Sequence, residues 1–108
     1  MAEKKSHVAY SLKDWEGYFA ENPRDKIDFV CSEKVFDSYE DARKEAEQRL
    51  WERVKQYGKE YDVQTYCDVA PDDADKMKFN EECYLKKLFD ENNDELCTLQ
   101  IVKYEYIF

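Results

Sequence analysis

Residues 38–58 read SYEDARKEAEQRLWERVKQYG, and the rest of the chain is interpreted outward from them. Tyr39, Ala42, Ala46, Leu50, Val54 and Tyr57 recur at spacings of three and four, with Trp51 widening the stripe. That period predicts an amphipathic helix over about 39–57. Both ends carry stop signals. Ser38 is placed to cap the first turn with Asp41 three residues on, acids crowd that turn, and Gly58 follows the last apolar residue with Lys55 and Lys59 beside it. On the outer face Glu40/Lys44 and Glu45/Arg49 are spaced as i,i+4 pairs, each contributing about 0.2–0.5 kcal/mol. This self-neutralising face is expected to keep the helix soluble.

Upstream, Lys26–Phe36 reads as a strand with an internal turn at Ser32–Lys34, leading into the Asp37–Ser38 cap. Before it, Ser11 followed by Asp14, with Leu12, Trp15 and Phe19 on one face, predicts a short N-terminal helix ending before Asn22 and Pro23. Downstream, Tyr61–Val69 alternates Val63, Thr65, Cys67 and Val69 against Gln64, Tyr66 and Asp68, the pattern of a strand buried on one face. Residues 72–82 fit helix or strand equally. Glu82–Phe89 is read as a strand with Cys83, Leu85 and Phe89 on its apolar side, and Asp90–Asp94 as a turn. In Glu95–Phe108 both faces are apolar: Leu99, Ile101 and Ile107 on one, Val102, Tyr104, Tyr106 and Phe108 on the other. Such a strand belongs in the middle of a sheet or against another subunit. The sum is an α+β domain: a mostly antiparallel sheet of about four strands, the long helix packed on one face, and a short N-terminal helix.

The 108 residues suit a single compact domain, and a 16% aromatic share supplies the apolar surface that a disordered chain lacks. Met1–Tyr10 contains no secretory-type apolar run, and the longest uncharged stretch, Leu96–Val102, is too short for a membrane span. A cytoplasmic protein is expected. Cys31, Cys67, Cys83 and Cys97 show no CxxC pattern and fall on apolar strand faces, which suits reduced core thiols.

Chemistry-bearing patterns are sparse. His7 is the single histidine, two glycines cannot write a phosphate-binding loop, and no nucleophile-elbow context is present. Asp90, Asn92 and Asp94 begin like a calcium loop, but Glu95 and Ile101 stand where glycine and a bidentate Glu are required. No catalytic, cofactor or metal role is assigned, and a thiol-dependent enzyme is the weakest alternative.

Charge is the distinctive feature. Residues 60–95 hold twelve carboxylates against four lysines, eight of the nine net negative charges. Phosphate affinity comes from clustered Lys and Arg, so direct nucleic-acid binding is not expected. The same acidity suits docking on a protein with a basic surface, such as a nucleic-acid-binding protein whose groove is occupied by a phosphate mimic. Carboxylates two apart on a strand stand about 6.5–7 Å from each other, comparable with successive phosphates. The partner-facing residues are then Asp72, Asp73, Asp75, Glu81, Glu82, Asp90, Glu91, Asp94 and Glu95, with Tyr66 and Tyr84, and also Tyr104 and Tyr106, as aromatic anchors. The alternative is a homodimer assembled through the C-terminal strand.

Overall fold

A computed structural model describes residues 6–16, 30–58 and 62–107. Along the chain come β1 (Ser6–Glu16), β2 (Val30–Phe36), α1 (Tyr39–Tyr57), β3 (Val63–Asp68), the single-turn α2 (Pro71–Ala74), β4 (Glu82–Phe89) and β5 (Glu95–Ile107). The strands form one antiparallel sheet in the order β2-β1-β5-β4-β3, with α1 packed across one face. The fold is α+β, with five strands among the described residues.

The helix starts and stops where its sequence says. The Ser38 side chain accepts from the Asp41 amide, and Gly58 takes the left-handed conformation (φ 65°) with its amide bonded to the Val54 carbonyl. Tyr39, Ala42, Ala46, Leu50 and Val54 are buried against Tyr10 and Leu12 of β1, Leu99 and Ile101 of β5, and Tyr84 and Leu88 of β4. Two alanines in that stripe let the helix sit close to the sheet. The Tyr39 hydroxyl donates to the Val69 carbonyl at 2.7 Å, with the Cys83 carbonyl at 3.2 Å, which fixes the first turn over the β3–β4 end.

Charged side chains then pin both halves of α1 to the sheet. Asp14, only 4% exposed, receives Arg53 in a two-bond fork at 2.6 Å and Arg49 at 3.3 Å. Nearer the start of α1, Arg43 forks onto Asp68, while Lys86 bridges Glu47 (2.7 Å) and Asp68 (3.3 Å). The helix charges are therefore more than a solubilising face: Glu45/Arg49 forms as an i,i+4 pair at 3.1 Å, but Arg43, Glu47, Arg49 and Arg53 also reach across to strands. Trp51, assigned to the apolar stripe, is 41% exposed and donates to Glu47.

Three local expectations are corrected. The predicted N-terminal helix is strand β1 from Ser6 to Glu16; the remainder of that segment, residues 17–22, lies outside the described residues. Backbone pairing with β2 on one side and β5 on the other overrides a weak helical period. The strand was disguised because Asp14 occupies an inward position where an apolar residue would have revealed the alternation. Next, β2 runs through Ser32–Lys34 without a turn, in register with Lys13 and Asp14 of β1. Finally, in β4 a bulge between Glu82 and Tyr84 buries both Cys83 and Tyr84, after which Lys86 and Leu88 face α1. The apolar side assigned to Leu85 and Phe89 is thus exchanged for the other.

The expectation for β5 holds in its first form: it is the middle strand, bonded to β1 and β4. The Asp90–Asp94 turn also forms, with the Asp90 carboxylate accepting the amides of Asn92 and Asp94 and Asn93 in the left-handed region.

Leu50 is fully buried at the centre of the contact, so Leu50→Ala should lower stability by about 2–5 kcal/mol, read as a shifted denaturation midpoint at unchanged slope. Asp14→Ala should cost about 3–5 kcal/mol by removing the buried carboxylate that Arg49 and Arg53 share, whereas Lys44→Ala on the exposed face should stay within about 0.5 kcal/mol.

Candidate protein interface

The acidic stretch does not form one patch. Asp72, Asp73 and Asp75 stand on and just after α2, Glu81 and Glu82 lead into β4, and Asp90, Glu91, Asp94 and Glu95 lie at the far end of that strand. Asp90 lies eight positions beyond Glu82 along β4 (Glu82–Phe89), about 26 Å at the usual rise. The row of strand-borne, phosphate-spaced carboxylates is therefore not present: the aspartates nearest one another sit on a helical turn.

The two ends also differ chemically. At the far end Asp90 holds its own turn, Glu95 meets Lys87 at 3.4 Å, and Glu82, on the strand between, accepts from Gln100 at 2.5 Å. These are structural bonds. At the near end Asp72, Asp73, Asp75 and also Glu40 are exposed, and none of their carboxylates makes a salt bridge with a described residue.

Between them opens a cleft of about 470 Å³. Asp37, Ser38 and Glu40 line it from the start of α1, Pro71, Asp72 and Asp75 from α2 and the residue after it, and Val8, Tyr10 and Lys103 from β1 and β5, with Tyr39 beside Tyr10. The Tyr10 and Tyr39 rings lie 5.5 Å apart at 56°. Burial, then the charge of Asp75, raises the pKa of Tyr10. Lys103 is 6% exposed and donates to the carbonyls of Ala74, Asp75 and Met77 at 3.0–3.1 Å, tying α2 to the sheet. His7 lies outside this lining and meets Asp37 at 3.0 Å.

Of the aromatic anchors, Tyr66 is 55% exposed on edge strand β3, with Lys87 5.8 Å over its ring. Tyr84 is corrected: it is fully buried under α1, donating to Glu47 at 3.1 Å, and offers no surface. Tyr104 and Tyr106 are half-buried on β5, 6.4 Å apart edge to face.

Sequence reasoning found Asp72 and Asp75 but missed Asp37, Glu40, Tyr10, Tyr39 and Lys103. Asp37 and Glu40 read as ordinary cap and first-turn acids, and Tyr10 lay in a stretch not recognised as a strand. No linear signal joins four elements that meet only in the fold.

An activated thiolate needs an electropositive, accessible setting. Burial instead raises the pKa of Cys67 and Cys97 and pushes Cys83 up to about 11. Among the described residues no cluster of three His, Cys, Asp or Glu is arranged to hold a metal, and no helix is long and apolar enough to cross a membrane. Compared with family models, curated proteins and solved structures, the chain matches none.

Stability should fall at both extremes of pH. The Arg43 hydrogen bonds hold the Asp68 carboxyl below its usual range, so its contribution is complete above about pH 4 and is lost as pH falls through the lowered folded value. Burial raises Cys83, Tyr39 and Tyr84, so their contribution is complete below their unfolded values, about 8.5 for Cys and 10 for Tyr, and is lost as pH rises toward the folded ones. Urea midpoints measured from about pH 3 to 11 should show both limbs. In Arg43→Ala the deficit relative to the parent should shrink at the acid end.

Proposed function

We propose that the protein is a non-catalytic binding module that docks on a basic surface of another protein through its α2 end. The observation that carries this reading is the set of exposed carboxylates at Glu40, Asp72, Asp73 and Asp75, none of which makes a salt bridge with a described residue. Like charges held together by the fold raise the local potential, and a cationic partner relieves that repulsion on docking. At the far end Glu95 meets Lys87 and Asp90 is held by its own turn, which leaves fewer open carboxylates there. An occupied basic surface is closed to its other ligands, so the module acts as an antagonist of its partner. A cytosolic setting belongs to the same reading, and the free thiols at Cys67, Cys83 and Cys97 agree with it.

The geometry favours a pocketed contact over phosphate mimicry, because the aspartates flank a cleft instead of forming a row along a strand. The homodimer alternative gains no edge from β5, whose backbone is paired on both sides.

Fluorescence anisotropy with a labelled penta-lysine peptide tests the reading. Affinity should fall steeply as salt rises from about 50 to 200 mM, since the Debye length shortens over that range. Asp72→Lys should weaken binding several-fold, while Asp94→Lys, the same charge change at the far end, should have little effect. Salt-insensitive binding, or equal losses from both substitutions, would overturn the assignment.

A further inference from the structure

We infer that the cleft beside α2 takes the guanidinium side chain of an arginine presented by the partner protein. This rests on the reading of the α2 end as a docking site and names the group that enters it. The volume of about 470 Å³ lies within the usual range for ligand pockets, and its walls and floor make different demands that one side chain meets together.

Carboxylates stand on two walls: Asp37 and Glu40 at the start of α1, Asp72 and Asp75 at α2. A guanidinium is a planar fork of five donors and serves acceptors on both sides at once, whereas an ammonium is a compact point charge. The floor is apolar and aromatic, from Val8 and the tilted Tyr10–Tyr39 pair, and a delocalised cation packs against such rings with little loss of hydration.

Tyr10 supplies the independent observation. It is only 4% exposed and lines the cleft, yet its hydroxyl makes no hydrogen bond with any described residue. The two neighbouring buried tyrosines are satisfied, Tyr39 by the Val69 carbonyl and Tyr84 by Glu47. Its ring is buried while the hydroxyl opens to the cleft, and a hydroxyl beside Asp75 with a free acceptor oxygen suits a group that only donates.

Among the described residues no lysine or arginine makes a salt bridge with the four cleft acids. Lys103 is committed to three carbonyls of the α2 segment, and the positive end of α1 is capped by Ser38 and offset by Glu40 and Asp41. His7 meets Asp37 at 3.0 Å from outside the cleft lining.

The test compares three labelled peptides: acetyl-Lys-Lys-Arg-Lys-Lys-amide and its counterparts with lysine or citrulline at the centre. The lysines engage the acidic rim, and the central residue probes the cleft. The arginine peptide should bind about five- to tenfold tighter than either counterpart, the size of one ordinary net hydrogen bond at a site open to water. Tyr10→Phe should erase that preference while leaving the lysine peptide unchanged, and amide shifts induced by the arginine peptide should centre on residues 37–41, 71–77 and 103. Since Tyr10→Phe removes only an unbonded hydroxyl, its fold should be retained, which its amide spectrum will show. If all three peptides bind equally, or Tyr10→Phe leaves the preference intact, the arginine pocket is wrong and the acidic docking reading survives. If none binds, both fall.

Discussion

The docking of α1 on the sheet through paired charges is the constraint on which the rest of the structure depends. Its apolar stripe is narrow, since Ala42 and Ala46 supply two of the five buried positions. Close approach and the fully buried Leu50 hold the helix down, but apolar contact is non-directional and would tolerate sliding. The ion pairs are directional. Asp14 fixes Arg49 and Arg53 toward the end of the helix, and Asp68 with Lys86 fixes Arg43 and Glu47 toward its start. Removing charges of this kind from water is expensive, and they persist because each finds several partners in good geometry. Held at both halves, α1 places Asp37 and Glu40 opposite Asp72 and Asp75. The cleft is a consequence of that register.

A similar economy shapes the acidic surface. At the β4–β5 loop the Asp90 carboxylate shapes its own turn and Glu95 meets Lys87, so part of the charge at that end is engaged locally. Near α2 the buried Lys103 spends its ammonium on backbone carbonyls to hold the single turn in place. That ammonium is thereby withheld from the α2 aspartates, none of which makes a salt bridge with a described residue.

How much was legible follows from how local each signal is. The α1 bounds were readable because the cap, the period and the terminal glycine all lie within the same 21 residues. The bounds of β4 and the turn after it were readable because Asp90 bonds amides two and four residues on. The identity of β1 was hidden by Asp14, and the facing of β4 by Lys86, for one reason. Each is a charged residue at an inward position, which periodicity treats as outward, and each is tolerated only because a partner distant in sequence neutralises it. The site was half legible: Asp72 and Asp75 announced themselves by composition, but Tyr84, apparently suited to an anchor, faces the core once the bulge shifts the strand.

The sequence alone determined the α+β class, the long capped helix, the two-sided character of the last strand and the concentration of negative charge between residues 60 and 95, because each rests on spacing or composition along the chain. Tertiary structure decided which carboxylates are consumed by neighbours and which face solvent, and it brought Tyr10, Asp37, Glu40 and Asp75 to one cleft. Those outcomes depend on strand order, a bulge and long-range ion pairs. Their energies come from groups tens of residues apart, and no local pattern encodes such meetings.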